Sequence, residues 1–91
     1  MNPVRPIWSY TYVLRSEKNG NFYTGVTGDL EQRLKQHNEG LVLSTKHMRP
    51  LQLAYFEACI DKNDAYHREK FLKTGMGKRY IRNRLQGGLT G

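Results

Sequence analysis

The sequence predicts an α+β fold, a small three-stranded, mostly antiparallel sheet flanked by helices. Three observations predict it. Two runs rich in tyrosine and β-branched residues, 7–15 and 21–27, flank Asn19-Gly20, a strong hairpin signal. A third run, 51–58, alternates in the same way. Helical periodicity follows the second and third runs, an order that suits one sheet with helices packed on it.

The elements follow in order. Alternate residues of a strand share a face. Trp8, Tyr10, Tyr12 and Leu14 therefore lie on one side of the first strand, and Ile7, Ser9, Thr11 and Val13 on the other. In the second strand Tyr23, Gly25 and Thr27 alternate with Phe22, Thr24 and Val26. Residues 16–21 make a connection longer than the tightest turn, and the hairpin sets Tyr12 beside Tyr23 on the neighbouring strand. Asp29 reads as an N-cap with Gln32 as its capping-box partner, the helix runs to about residue 38, and Gly40 is its stop. Leu30 and Leu34 dock this helix on the sheet. Arg33 and His37, four residues apart, project from the edge of the docked face towards the hairpin.

Residues 41–50 form a connection carrying Ser44, Thr45, Lys46, His47 and Arg49, either a phosphate-touching loop or an ordinary solvated one. In the third strand Leu51, Leu53 and Tyr55 alternate with Gln52, Ala54 and Phe56. Asp61, Asn63 and Asp64 supply capping groups for a second helix over 64–73, whose inward stripe is Ala65, Glu69 and Leu72 with Arg68 at its edge. Gly75-Met76-Gly77 reads as a break, and 78–86 as a third helix. Residues 1–6 form a flexible lead-in, 7–86 a single domain and 87–91 a flexible tail.

Ninety-one residues suit one domain with one modest core. No run approaches the ~20 apolar residues of a membrane span. The N-terminal segment lacks an apolar signal core, so no secretion is expected. The lone cysteine, Cys59, excludes an internal disulfide and a cysteine-based zinc cage, and a cytoplasmic location is expected. Fifteen Lys and Arg against eight Asp and Glu give a net charge of +7, which points to a polyanionic partner, nucleic acid first.

The segment from Tyr10 to His37 resembles the GIY-YIG nuclease family. Tyr10-Thr11-Tyr12 stands where the first tripeptide would be, and Tyr23-Thr24-Gly25 where the second would be. Arg33 follows Tyr23 by ten residues in the context DLEQRL, and His37 comes one helical turn later. Tyr10 replaces the first glycine, Thr11 and Thr24 replace both isoleucines, and Val26 stands where some members carry a lysine. The fit is to small stand-alone bacterial members, similar to the N-terminal nuclease domain of the excision-repair endonuclease. It covers roughly residues 10–85. The resemblance implies the same strand and helix layout and metal-dependent hydrolysis of DNA phosphodiesters, with repair or recombination as the setting.

It also implies roles. Glu69, on the helix after the third strand, would hold Mg2+ or Mn2+. Read from its residues alone, a carboxylate in an inward stripe pairs either with Lys73 at i+4 or with a metal. Arg33 would grip the phosphate. Tyr12 would act as general base or orient the water, with Arg33 and the metal lowering its pKa, and Tyr23 would position water or phosphate. Strand packing explains both tyrosines equally well. His37 either moves the proton or caps its helix as a cation. Asn83 would support the site from the closing helix, or lie exposed on it. Lys78, Arg79, Arg82 and Arg84 around it, and Lys46, His47 and Arg49 in the long connection, would contact the nucleic-acid backbone. DNA is the expected partner, with RNA open. A protein partner supplying targeting is open too, and so is the oligomeric state. The alternatives are a non-catalytic nucleic-acid binder and a small interaction module whose tyrosines are core.

Overall fold

In the computed structural model, which describes residues 7–87, the first strand runs through the middle of everything else. β1 (Ser9–Ser16) pairs antiparallel with β2 (Phe22–Thr27) on one edge and with β3 (Leu51–Cys59) on the other, giving the order β2-β1-β3. α1 (Leu30–Asn38) covers one face, and α2 (Lys62–Leu72) with α3 (Gly75–Arg84) covers the other. The α+β class and the three-stranded antiparallel sheet are as expected.

A central strand between two helical layers must be apolar on both sides, and Thr11, Tyr12, Val13 and Leu14 are all buried. Tyr12 and Leu14 join Met48 and Leu51 beneath α1, with Tyr23, Leu30, Leu34 and Leu53 against them. Val13 joins Leu72 and Ile81 beneath α2 and α3, with Phe22, Tyr55 and Leu85 against them. The hydroxyl of Thr11 meets that second layer by donating to the carbonyl of Ala65 at 2.8 Å.

Four expectations require correction. Simple alternation puts Leu51, Leu53 and Tyr55 on one face. In the structure Val13 faces Tyr55 while Leu14 faces Leu53, a β-bulge that inserts one extra residue of β3. Such an insertion reverses the facing of all that follows, so Tyr55 joins the α2–α3 layer and Leu53 the α1 layer. The second helix starts at Lys62 rather than 64, because the Asp61 carboxylate already accepts the Asn63 N–H at 2.7 Å. Gly75-Met76-Gly77 is the first turn of α3 and not a break. Thr74 caps that turn by accepting the Gly77 N–H at 3.1 Å, and a Cβ on Gly77 would collide with the Phe71 carbonyl, so the corner between the helices is closed by backbone contact. Asp29 does accept the Gln32 N–H at 3.1 Å, but the reciprocal bond to the Asp29 N–H comes from the Thr27 hydroxyl rather than Gln32.

Gly20 and Gly40 hold φ values of 78° and 79°, which a Cβ disfavours, one in the hairpin turn and one just past α1. The long connection contains a 3-10 turn, Lys46–Met48, and is anchored by buried Thr45 and Met48. Ser16 ties it to β1 by donating to the Met48 carbonyl at 2.7 Å. Among the described residues no helix is long and apolar enough to cross a membrane. The expected lead-in, 1–6, and residues 88–91 of the expected tail lie outside the described residues.

Candidate active site

The register of the hairpin fixes the first two side chains. Tyr12 faces Gly25, and Leu14 faces Tyr23. Paired residues of an antiparallel ladder share a face, so both phenols lie under α1. The Tyr12 ring passes directly over Gly25, where a Cβ would sit 2.5 Å from its hydroxyl oxygen. Gly25 is therefore the space that Tyr12 occupies.

α1 supplies the next two. Leu30 and Leu34 dock it on the sheet, and the i, i+4 spacing brings Arg33 and His37 to the same edge. His37 is wholly buried, at 0 % exposure. Its Nε2 lies 2.9 Å from the Tyr12 hydroxyl, and its Nδ1 lies 2.7 Å from Thr45 Oγ1. The Thr45 hydroxyl donates to the Val42 carbonyl at 3.4 Å. We assign the proton of Thr45 to Val42, so that Thr45 accepts from His37 Nδ1–H and Nε2 accepts the Tyr12 proton. The Arg33 Nε–H donates to the Tyr12 oxygen at a long 3.4 Å, and its Nη1 donates to Gln36 Oε1 at 3.1 Å. Tyr23 meets the imidazole edge to face, with centroids 5.2 Å apart.

The charges of the protein's own groups bear on two of these roles. Burial pushes the Tyr12 phenol above its usual range. Arg33 opposes this by hydrogen bond and charge, while Tyr23 and the Glu69 carboxylate reinforce it. Arg33 therefore does not make Tyr12 an anion, because desolvation outweighs it. Burial, and then the Arg33 charge, lower His37 to about 4. A histidine that is neutral at pH 7 does not act as a cationic helix cap.

Glu69 lies on α2, and its charge is the least of the influences on the Tyr12 phenol. Its side chain is 21 % exposed, and its ion-pair partner is Lys73 at 3.4 Å. Among the described residues no three His, Cys, Asp or Glu side chains gather into a cage. A hard divalent ion that keeps most of its waters takes one or two carboxylates, and Glu69 fits that demand. The neighbouring Arg68 makes a different contact, a fork of 2.8 and 2.7 Å onto the Glu57 carboxylate, which also accepts from the Tyr55 hydroxyl at 2.8 Å. Arg68 first, against burial, holds the Glu57 carboxyl below its usual range.

The remaining residues are dispersed. Asn83 is exposed in a shallow depression with Phe71, Met76, Arg79 and Tyr80, and among the described residues no hydrogen bond joins it to the tyrosine–histidine cluster. The four cations of α3 do not form one patch. Arg79 lies beside Asn83, Arg84 is close enough to Glu57 to lower its pKa, and Lys78 and Arg82 line a cavity at the hairpin. Lys46, His47 and Arg49 are exposed, and Arg49 Nε donates to the Lys46 carbonyl at 2.9 Å. Sequence reasoning missed Thr45 as a partner of His37. Its position in a long connection carries no periodicity that could have revealed it.

Comparison with known proteins agrees with this layout. Residues 8–83 match the GIY-YIG catalytic domain. A UPF0213 protein of Clostridium perfringens is 39% identical over 66 residues, covering 71% of this chain and 70% of that protein. A UPF0213 protein of Bacillus licheniformis is 36% identical over 84 residues, covering 88% and 86%. The solution structure of a UPF0213 protein from Bacillus halodurans superposes with a TM-score of 0.52 at 28% identity, over 84% of this chain and 83% of that one. By its matched domain and these relatives, the chain belongs to the GIY-YIG nuclease family.

Proposed function

We propose that the chain is a divalent-metal-dependent endonuclease that hydrolyses DNA phosphodiesters. The observation that carries this is the hydrogen-bonded line from Arg33 through the Tyr12 hydroxyl to a buried neutral imidazole. Family membership and the charge of +7 support a DNA substrate.

Water attacks the phosphorus, the bond to the leaving oxygen breaks, and the water proton has to go somewhere. Tyr12 receives it on the oxygen while its own proton passes to His37 Nε2, 2.9 Å away. The phenol thus serves as a relay without first ionising, which its raised pKa disfavours. Arrival of an anionic phosphate offsets the Arg33 charge that depresses His37, so substrate makes the imidazole a better acceptor. Arg33 grips the phosphoryl oxygens and balances the charge that builds on them. Tyr23 holds the water or phosphate by its hydroxyl. Glu69 would hold Mg2+ or Mn2+, which supplies further charge neutralisation at the phosphoryl and leaving oxygens.

The test is nicking of supercoiled plasmid by wild type, Tyr12→Phe and Glu69→Gln in Mg2+, Mn2+ or EDTA, with an RNA arm. Wild type should nick only with metal, and Tyr12→Phe should lose about 10²–10⁴-fold in rate. Full activity in Glu69→Gln would refute the metal role. DNA binding without nicking by wild type would leave a non-catalytic binder.

A further inference from the structure

A cavity of about 450 Å³ opens at the far end of the hairpin, lined by Arg15, Gly20, Asn21, Phe22, Lys78 and Arg82. Three of these six residues are cations and none is acidic. Among the described residues the ion pairs are Lys35–Glu39, Arg68–Glu57 and Lys73–Glu69, so the cations of the cavity have no carboxylate partner there. The Arg15 guanidinium lies along the turn, with Nη2 3.4 Å from where a Gly20 Cβ would be. Its Nε is buried without a hydrogen-bond partner among the described residues. A buried donor left unpaired is costly, and like charges around one hollow repel one another. An anion seated there relieves the repulsion, and the unpaired Nε marks a guanidinium that no protein acceptor holds at that atom.

A neighbouring depression continues the cavity along β2, the edge of the sheet. It is lined by Tyr23, Lys73 and Ile81 among others, and it shares Phe22 and Lys78 with the cavity. The two make one path from Tyr23 and the lysine that pairs with Glu69, past Phe22, to Arg15 and Arg82. The volume is in the range of pockets that enclose whole small ligands, enough for a phosphodiester with its adjoining sugar against the Phe22 ring.

We propose that Arg15, Lys78 and Arg82 form a second phosphate subsite, which takes a backbone phosphate of the nucleic-acid strand flanking the one held by Arg33. This rests on the nuclease reading for its strand path, but the binding site itself can be tested without cleavage. Arg15 is the residue that sequence patterning passes over, since a cation at a strand end resembles any solvated one.

The experiment titrates ¹⁵N-labelled protein in EDTA with a short single-stranded DNA, following the Nε–H resonances of Arg15 and Arg33. Arg15 should shift saturably. Lys78→Ala/Arg82→Ala, both exposed and so tolerated by the fold, should weaken binding and flatten the slope of log affinity against log salt by about 0.7 for each phosphate no longer neutralised. Arg15→Met should do likewise. An unmoved Arg15 resonance, or wild-type affinity and slope in the double variant, would overturn the subsite. Equal shifts with inorganic phosphate at the same concentration would also overturn it, by showing a free-anion pocket. Cleavage by wild type with a silent Arg15 removes the subsite alone. An Arg15 response from a protein that never cleaves with metal removes the nuclease reading alone.

Discussion

Acid should weaken this protein through one imidazole. His37 is wholly buried between Tyr12 and Thr45 and held to a pKa of about 4 against its ordinary 6.5. Because the folded value is the lower one, the unfolded chain binds the additional proton throughout that interval. The neutral ring's contribution is therefore intact above pH 6.5 and is lost as pH falls towards 4. At ~1.4 kcal/mol per pH unit the loss reaches at most about 3 kcal/mol. For a domain of this size that is roughly 12–24 °C of Tm. The carboxylates titrate in the same region, so the assay is a difference: urea unfolding of wild type and His37→Gln at intervals from about pH 7.5 to 4. The stability gap between them should narrow steadily below pH 6.5, and ring NMR should place the His37 titration near pH 4. A gap that stays constant, or a ring that titrates at its ordinary 6.5, would refute the assignment of a neutral His37 accepting the Tyr12 proton.

Two further substitutions probe the same cluster. Gly25→Ala places a methyl 2.5 Å from the Tyr12 hydroxyl and must displace the ring. Thermal melts should show a loss of about 1–3 kcal/mol from overpacking, with nicking reduced beyond what stability explains. Thr45→Val keeps the shape but leaves His37 Nδ1–H buried and unpaired. It should cost about 1–3 kcal/mol, and its ¹⁵N ring spectrum should show tautomer mixing that wild type lacks.

The hairpin and α1 were legible because their signals are local. Tyrosine and β-branched residues on both sides of Gly20, and Asp29 before an apolar stripe, each act within a few residues. The meeting of Tyr12, Tyr23, Arg33 and His37 follows from strand register and one helical turn. What stayed hidden depends on partners distant in the chain. The bulge in β3 answers to two packing layers, which Leu51, Leu53 and Tyr55 satisfy in either register. Gly77 reads as a helix breaker until the Phe71 carbonyl is found against it. Asn83 has the right residue type on the right helix, but the face it occupies is set by how α3 lies on Val13 and Leu72, with Ile81 turned inward instead.

The Arg68–Glu57 fork has a consequence for aim. Successive side chains on a helix point about 100° apart around its axis. Clamping one of them to a strand at two points therefore sets the azimuth of the next. The Arg68 fork onto Glu57 of β3 thus resists rotation of α2 about its axis, and with it a change in the bearing of Glu69. If Glu69 holds the metal as proposed, its placement depends on the neighbour that pairs with the strand.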